Sequence, residues 1–323
     1  MPASSSTTLP LSVVIIALNE AQRIGGCLNS VRDLARDVVV VDSHSGDGTR
    51  DLCHARGARV FQRAWTGYSA QKNFGNAQAR YNWVLSIDAD ERVSAELATA
   101  IREEFARGPR CDAYSIRFES YFGPRRIRFG AWNPEYHVRL FDRRRLAWNE
   151  DDVHEGLCSA VEVRSGRLHG SIRHLTVDSH AQLAEKTERY SALFAAKVRR
   201  RTRPPGALKV WLNPMWRFVR DYVVRLGVLD GATGAVIAWE SARYTHLKYA
   251  KALPAGRSLG LLKQLTLAGG CAVLALMLTR LPLAKMRGDN YLLSAKIAAS
   301  DIDDDFPNMN SRSFDDDDDD IVV

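Results

Sequence analysis

The sequence predicts an α/β protein: a doubly wound, mostly parallel sheet with helices on both faces, followed by amphipathic helices nearer the C-terminus. Three observations predict it. Short, β-branched apolar runs alternate with helical patterns through the first 110 residues. The runs are apolar throughout rather than alternating, as strands buried on both faces are. After residue 110 the pattern changes to longer strand-like segments and then to helices. At 323 residues the chain is one large domain or two modest ones.

The elements follow in order. Leu11–Leu18 (LSVVIIAL) is a strand bounded by Pro10 and Asn19, with a helix over Ala21–Ala35 after it. Val38–Val41 is a second strand ending at Asp42. SHSGDGT then turns, Thr49 caps a short helix to Ala55, and Gly57 stops it. Ala58–Gln62 is a third strand, and Ser69 caps a helix to Arg80. Trp83–Ile87 is a fourth, ending in Asp88-Ala89-Asp90, and Ser94 caps a helix to Arg107. Tyr114–Tyr121 and Tyr136–Phe141 read as longer strands, and 181–200 as a helix. Asn213-Pro214 reads as a helix start, an N-cap with Pro in the first turn. The helix it opens is expected to carry Met215, Phe218, Val219, Tyr222, Val223 and Leu226 on one broad side and Arg217, Arg220, Asp221 and Arg225 on the other.

Charge and composition narrow the function classes. Forty-six per cent hydrophobic content excludes wholesale disorder. Five cysteines without C-x-x-C spacing exclude a disulfide framework and a cysteine zinc site. The net charge of +7 conceals an asymmetry. Residues 301–323 hold ten Asp and one Arg, a charge of −9, which leaves +16 on the other 300. A basic body suits an anionic partner: a phosphorylated substrate, an acidic lipid surface or nucleic acid. The N-terminal MPASSSTTLPLS lacks a basic n-region, so no secretion signal is expected. The apolar stretch 259–278 includes Lys263 and Gln264 and is read as interfacial or re-entrant, as spanning, or as a soluble core segment.

Ligands of open α/β sheets bind beyond the carboxyl ends of the strands. Here those ends carry Asn19-Glu20, Asp42 and Asp88-Ala89-Asp90. Neither G-x-G-x-x-G nor G-x-x-x-x-G-K-[ST] is present, so neither a dinucleotide cradle nor a P-loop is supported. A D-x-D pair can instead hold Mg²⁺ or Mn²⁺ through hard oxygen ligands, with a substrate diphosphate completing the shell.

LSVVIIALNEA, VVVVDSHSGDGT, AQKNFG and VLSIDADE, in this order and spacing, resemble family-2 glycosyltransferases of the GT-A fold. VHEG, IRHLTVDS, KTERYSALFAA and YVVRLGVLDGATGAVIAWESARYTHLKYAK narrow the resemblance to the bacterial lipopolysaccharide-core β-glucosyltransferase group, over residues 11–252. The resemblance implies a nucleotide-sugar donor, usually a UDP-sugar, a divalent metal, and inversion at the anomeric carbon. Matched position by position, Ala17, Asn19 and Glu20 would line the nucleoside pocket and Asp42 would face the base or ribose. Lys72 would reach the base or diphosphate. Asp88 would lie near the ribose and metal, with Asp90 the direct ligand. Leu18 stands where many relatives stack an aromatic residue on the base.

An inverting transfer needs a general base for the acceptor hydroxyl. NEDDVHEG offers Asp151, Asp152 and Glu155; Glu155 is the first choice, Asp152 the second, with His154 in support. His174 reads either as a contact to diphosphate or metal or as a structural histidine. Lys197–Arg225, basic and interleaved with Trp211, Trp216, Phe218 and Tyr222, suits an anionic membrane better than nucleic acid, since no nucleic-acid motif accompanies it. The expectation is a metal-dependent hexosyltransferase moving glucose from UDP-glucose to lipopolysaccharide core, its acceptor lipid-anchored, at the inner face of the cytoplasmic membrane. The rivals are a polyprenyl-phosphate glycosyltransferase and a non-catalytic membrane- or nucleic-acid-binding module. The expected divisions are a disordered 1–10, a catalytic domain over 11–180, a helical membrane- or acceptor-associated region over 181–252, an apolar segment over 253–300, and an acidic disordered tail over 301–323.

Overall fold

The computed structural model of the chain describes residues 8–132, 134–149, 156–198 and 209–253. They divide into two compact units, one running to Arg126 and resuming over Pro134–Thr176, the other formed by Ile127–Trp132 and the described residues from Val177 onward.

The first unit is built on a nine-stranded sheet. Its strands are Leu9–Ala17 (β1), Ala35–Asp42 (β2), Arg59–Gln62 (β3), Trp83–Asp88 (β4), Glu91–Val93 (β5), Ala113–Phe122 (β6), Arg125–Arg126 (β7), Tyr136–Asp142 (β8) and Ser165–Val177 (β11). Ala147–Trp148 (β9) and Leu157–Cys158 (β10) form a separate antiparallel ribbon. The helices are Ile24–Val31 (α1), Thr49–Ala55 (α2), Tyr68–Gln78 (α3) and Ala95–Arg107 (α4).

The main order is β3-β2-β1-β4-β8-β6-β11-β5, with β7 beside β6. β3, β2, β1 and β4 run parallel, the doubly wound half expected from the β-α alternation. β8 joins β4 antiparallel, so the sheet is mixed beyond that edge. β1 is central and buried from Leu11 to Ala17, which is why its sequence carries no polar alternation. Helix α3 lies directly on β1 and β2 because position 75 is glycine: a Cβ there would meet Val14 and would stand 3.1 Å from Val41 Cγ2.

Several boundaries differ from the sequence expectation. Helix α1 is only Ile24–Val31. Gly48 and Gly67, not Thr49 and Ser69, stand at the N-caps of α2 and α3. Ser94 does cap α4, its side chain accepting from Leu97 N–H. The thirteen-residue β11 was not anticipated at all.

The second unit contains His180–Val198 (α5), Lys209–Val219 (α6) and Gly231–Ala252 (α7), with a π-helical turn at Arg220–Val224. Two expectations are corrected here. Pro214 does not open a helix but sits inside α6. Proline has no N–H to return to the carbonyl four residues back, and the imidazole of buried His246 takes that place, its Nδ1 donating to Val210 O at 3.2 Å. The two expected sides are also not kept apart. Arg217, Arg220 and Asp221 are buried with Phe218 and Tyr222, whereas Met215 and Val223 are exposed. A buried ion cluster sets the roll of this segment: Asp221 Oδ2 accepts from Arg217 Nε at 2.8 Å and Asp221 Oδ1 from Arg220 Nε at 3.2 Å. Burial lowers the Arg217 pKa to about 10.

Among the described residues no single helix is long and apolar enough to cross a membrane. The stretch 259–278 and the acidic tail lie outside the described residues.

Candidate active site

The carboxyl ends of β1, β2 and β4 bring the predicted residues of the first unit together. Ala17 is in register with Asp42, and Ile16 with Asp88. The β1 and β2 loops are stitched to each other. Asn19 N–H donates to Ser45 Oγ (2.8 Å), Asn19 Oδ1 accepts from Gly46 N–H (2.9 Å), and Glu20 N–H donates to Thr49 Oγ1 (2.9 Å). Asn19 takes a left-handed conformation (φ 55°), which its short polar side chain tolerates. Asn19 and Glu20 therefore act first as loop fasteners, and Leu18 between Ala17 and Asn19 is exposed. Asp42 is fully buried. Its Oδ2 accepts from Ser45 N–H (3.0 Å), while its Oδ1 accepts from nothing among the described residues. A buried acceptor left in that state fits a donor supplied by a ligand.

A second group gathers at the end of β4. Lys72, on α3, is 1 % exposed, which excludes an ordinary surface lysine. Its Nζ lies 3.5 Å from Asp88 Oδ1 and 4.6 Å over the Trp148 ring. Arg139, on β8, reaches Asp88 Oδ2 at 3.9 Å and Glu91 Oε1 at 3.3 Å. Glu91 Oε2 accepts from Asp88 N–H (3.0 Å), fixing the turn between β4 and β5. Burial pushes the Glu91 carboxyl up to about 7, with Asp88 and Asp90 adding to the rise against the opposing pull of Arg139. No hydrogen bond from the described residues reaches either carboxylate oxygen of Asp88, so longer ion pairs hold it.

Asp90 is also buried, and its Oδ2 stands 3.4 Å from Nε2 of buried His174 on β11. The pairing of β5 with β11 creates this meeting: His174 is in register with Glu91, and Leu175 N–H donates to Asp90 O (3.1 Å). The donor set suits a divalent cation: carboxylate oxygens, one imidazole nitrogen, and two Asp88 oxygens that accept no hydrogen bond. Among the described residues no cluster of three or more His, Cys, Asp or Glu closes a metal shell unaided. Substrate oxygens would have to complete one.

Asp151, Asp152, His154 and Glu155 lie outside the described residues. Their flanks are fixed: Asn149 N–H donates to Gly156 O (2.9 Å), and Asn149 Oδ1 accepts from Ser69 Oγ (3.3 Å). Trp148, one residue earlier, trades two hydrogen bonds with the Asn73 side chain and leaves its own buried Nε1–H without an acceptor. Lys72, Trp148, Asn149 and Gly156 are thus tied to one corner of the first unit.

Sequence reasoning missed Glu91, Arg139 and Trp148. The usable signal for Arg139 was a cation in the middle of the apolar strand YHVRLFD. A buried strand carries such a charge only when a carboxylate waits for it.

The chain also resembles known proteins. Residues 12–161 match the model of the family described as Glycosyl transferase family 2. The chain is 30 % identical over 265 residues to a protein of Rhizobium meliloti named lipopolysaccharide core biosynthesis glycosyltransferase LpsC, covering 76 % of this chain and 96 % of that one. It is 29 % identical over 259 residues to an uncharacterized glycosyltransferase of Rickettsia bellii, covering 77 % of this chain and 87 % of the relative. Among solved structures, S. aureus TarS 1-349 in complex with UDP aligns at 17 % identity and a TM-score of 0.41, over 76 % of this chain and 90 % of that one.

Proposed function

Because the chain belongs to glycosyl transferase family 2, we propose that it moves a hexose, glucose from UDP-glucose, onto lipopolysaccharide core or a related lipid-anchored envelope glycan. The transfer inverts the anomeric carbon, uses Mg²⁺ or Mn²⁺, and takes place at the inner face of the cytoplasmic membrane. The acceptor class follows the name of the Rhizobium relative. The observation that carries the reading is the end of β4: Asp90 beside His174, and Asp88 held between Lys72 and Arg139.

In this reading Asp42 accepts a hydrogen bond from the base or ribose through Oδ1. Lys72 and Arg139 flank Asp88 and lend positive charge to the diphosphate side of the crevice. Asp90 and His174 would hold the cation, with Asp88 alongside. A bound divalent cation supplies neutralisation of the charge that develops on the departing diphosphate. Glu155 takes the acceptor hydroxyl proton as that oxygen attacks the anomeric carbon opposite the diphosphate, with Asp152 as the second choice. The bond from the anomeric carbon to the diphosphate breaks, and its electrons stay on the leaving oxygen. One base suffices because the leaving group needs no proton when its charge is compensated.

The test is calorimetric titration of the full-length protein with UDP and Mn²⁺, alongside UDP release from UDP-glucose with truncated lipopolysaccharide. Asp90→Ala is expected to abolish metal-dependent UDP binding and transfer with the melting curve unchanged. Glu155→Gln is expected to bind UDP normally and lose turnover. Undiminished transfer by Asp90→Ala in the presence of a chelator would overturn the metal assignment.

A further inference from the structure

Helix α6 and the π-helical turn after it are amphipathic in the wrong sense for a segment bounded by water. Leu212, Met215, Trp216, Val223 and Val224 are 51, 54, 54, 40 and 48 % exposed. Leu212, Met215 and Trp216 stand at i, i+3 and i+4, one stripe of a helix. The two valines continue the exposed apolar run in the π-helical turn, where one extra residue per turn shifts the phase. The charged side chains between them point the other way. Asp221 is fully buried with Arg217 and Arg220 upon it, and Phe218 and Tyr222 pack with Ala238 and Ala242 of α7. Rolling the stripe inward would tear both aromatic rings from α7 and strip Asp221 of its guanidinium partners. The exposure is therefore built in by the segment's own ion cluster.

The sequence around the stripe says what covers it. Between Glu188 and Asp221 there is no acidic residue, while Arg189, Lys197, Arg199, Arg200, Arg201, Arg203 and Lys209 supply seven basic ones besides the two guanidiniums committed to Asp221. An apolar stripe bearing a tryptophan inside a purely basic stretch matches the chemistry of an anionic lipid–water interface. A second copy of this chain would bring the same positive charge to the contact. Among the described residues no single helix is long and apolar enough to cross a membrane, and the helices on either side of the break at 225–226 are bent by 70°.

We propose that Leu212, Met215, Trp216, Val223 and Val224 form a monotopic membrane-docking surface that sinks into the headgroup region of an anionic bilayer. The proposal deepens the reading of a lipid-anchored acceptor and rests on it for its purpose. Its evidence is the exposed stripe and the charge around it.

The test is co-sedimentation of the full-length protein with vesicles of phosphatidylcholine alone and of phosphatidylcholine mixed with phosphatidylglycerol. The protein is expected to pellet with the mixed vesicles and to be released by salt. Met215→Glu combined with Trp216→Glu should weaken that partitioning at least about tenfold. Met215→Ser with Trp216→Ser, which adds no charge, should weaken it in the same direction. Both double variants should keep the wild-type circular-dichroism melt and the wild-type transfer rate to a deacylated, water-soluble acceptor. Wild-type failure to bind mixed vesicles, or undiminished binding by the double variants, would overturn the proposal. So would a change of oligomeric state in the variants with vesicle binding intact, which would make the stripe an interface between copies. Absence of sugar transfer with every acceptor would defeat the transferase reading alone, because vesicle binding is read without it.

Discussion

Lys72→Met tests the electrostatic argument at the end of β4 most directly. Two unit charges 3.5 Å apart, the Lys72–Asp88 separation, attract by about 5 kcal/mol at an effective dielectric of ~20. Much of that is offset by the desolvation of a side chain only 1 % exposed. What decides the net cost is the carboxylate left behind. Asp88 is buried and receives no hydrogen bond from the described residues, so without Lys72 its compensation falls to Arg139 at 3.9 Å. Removing one partner of a buried pair costs about 3–5 kcal/mol when nothing substitutes, and the Arg139 contact should bring this to about 2–3 kcal/mol. The assay is urea unfolding at pH 7 with a chelator present, so that cation binding does not enter the balance. Asp88→Asn in the same background removes the stranded charge, and the double variant should recover at least about half of the loss, a coupling of ~1–1.5 kcal/mol. Additive losses, or a Lys72→Met midpoint equal to wild type, would refute the claim that Lys72 and Asp88 are one charge unit.

Other perturbations separate the remaining structural claims. Glu104 on α4 accepts from Arg110 and Tyr114, and its carboxyl is lowered to about 2, the Arg110 bond leading and burial opposing. A depressed carboxyl contributes stability above its usual value near 4.5 and loses it as pH falls toward 2. Glu104→Gln should thus cost about 1–2 kcal/mol at pH 7, discounted because the Arg110 side chain is 69 % exposed, and the gap should close in acid melts through that window. His246→Phe should cost about 1–3 kcal/mol by stranding the Val210 carbonyl, and adding Pro214→Ala, which restores the helical N–H, should return most of it. Gly227→Ala would set a Cβ 2.5 Å from the Asp221 carbonyl oxygen and should lower stability by at least about 2 kcal/mol.

The half of the fold that was legible is the half whose burial is uniform. β1, β2 and β4 are covered on both faces, so their sequences are unbroken apolar runs ending where the chain meets the crevice. Ser94 could be read as a cap because its bond is local. The carboxylates Asp42, Asp88 and Asp90 were legible for the same reason, as polar residues at the ends of apolar strands. The rest depends on partners far away in sequence. β11 mixes His169, Arg173 and His174 with apolar residues, so no period stands out. Arg139 makes sense only once Glu91, 48 residues earlier, lies beside it. The roll of α6 was not legible because hydrophobicity alone groups Met215 and Val223 with Phe218 and Tyr222. Asp221, which gathers Arg217 and Arg220, decides otherwise.

The same dependence on distant partners shapes the site. Asp88, Asp90 and Glu91 fall within four residues, yet the fold gives each a different neighbour and so a different task. Asp88 lies between two fixed cations, Lys72 and Arg139. Glu91 shares Arg139, and it spends its other oxygen on the Asp88 N–H, which locks the turn. Asp90 meets an imidazole from β11 that arrives 84 positions later and is set in register by backbone pairing. A D-x-D pair in a loop would leave its two carboxylates interchangeable. Here antiparallel docking of one long strand makes them unequal, turning Asp88 into a partner of the protein's own cations and placing Asp90 beside an imidazole nitrogen. That asymmetry is why Asp90 comes first as the proposed cation ligand, with Asp88 alongside. It also sets His174 beside Asp90, a placement that its own sequence neighbourhood does not show.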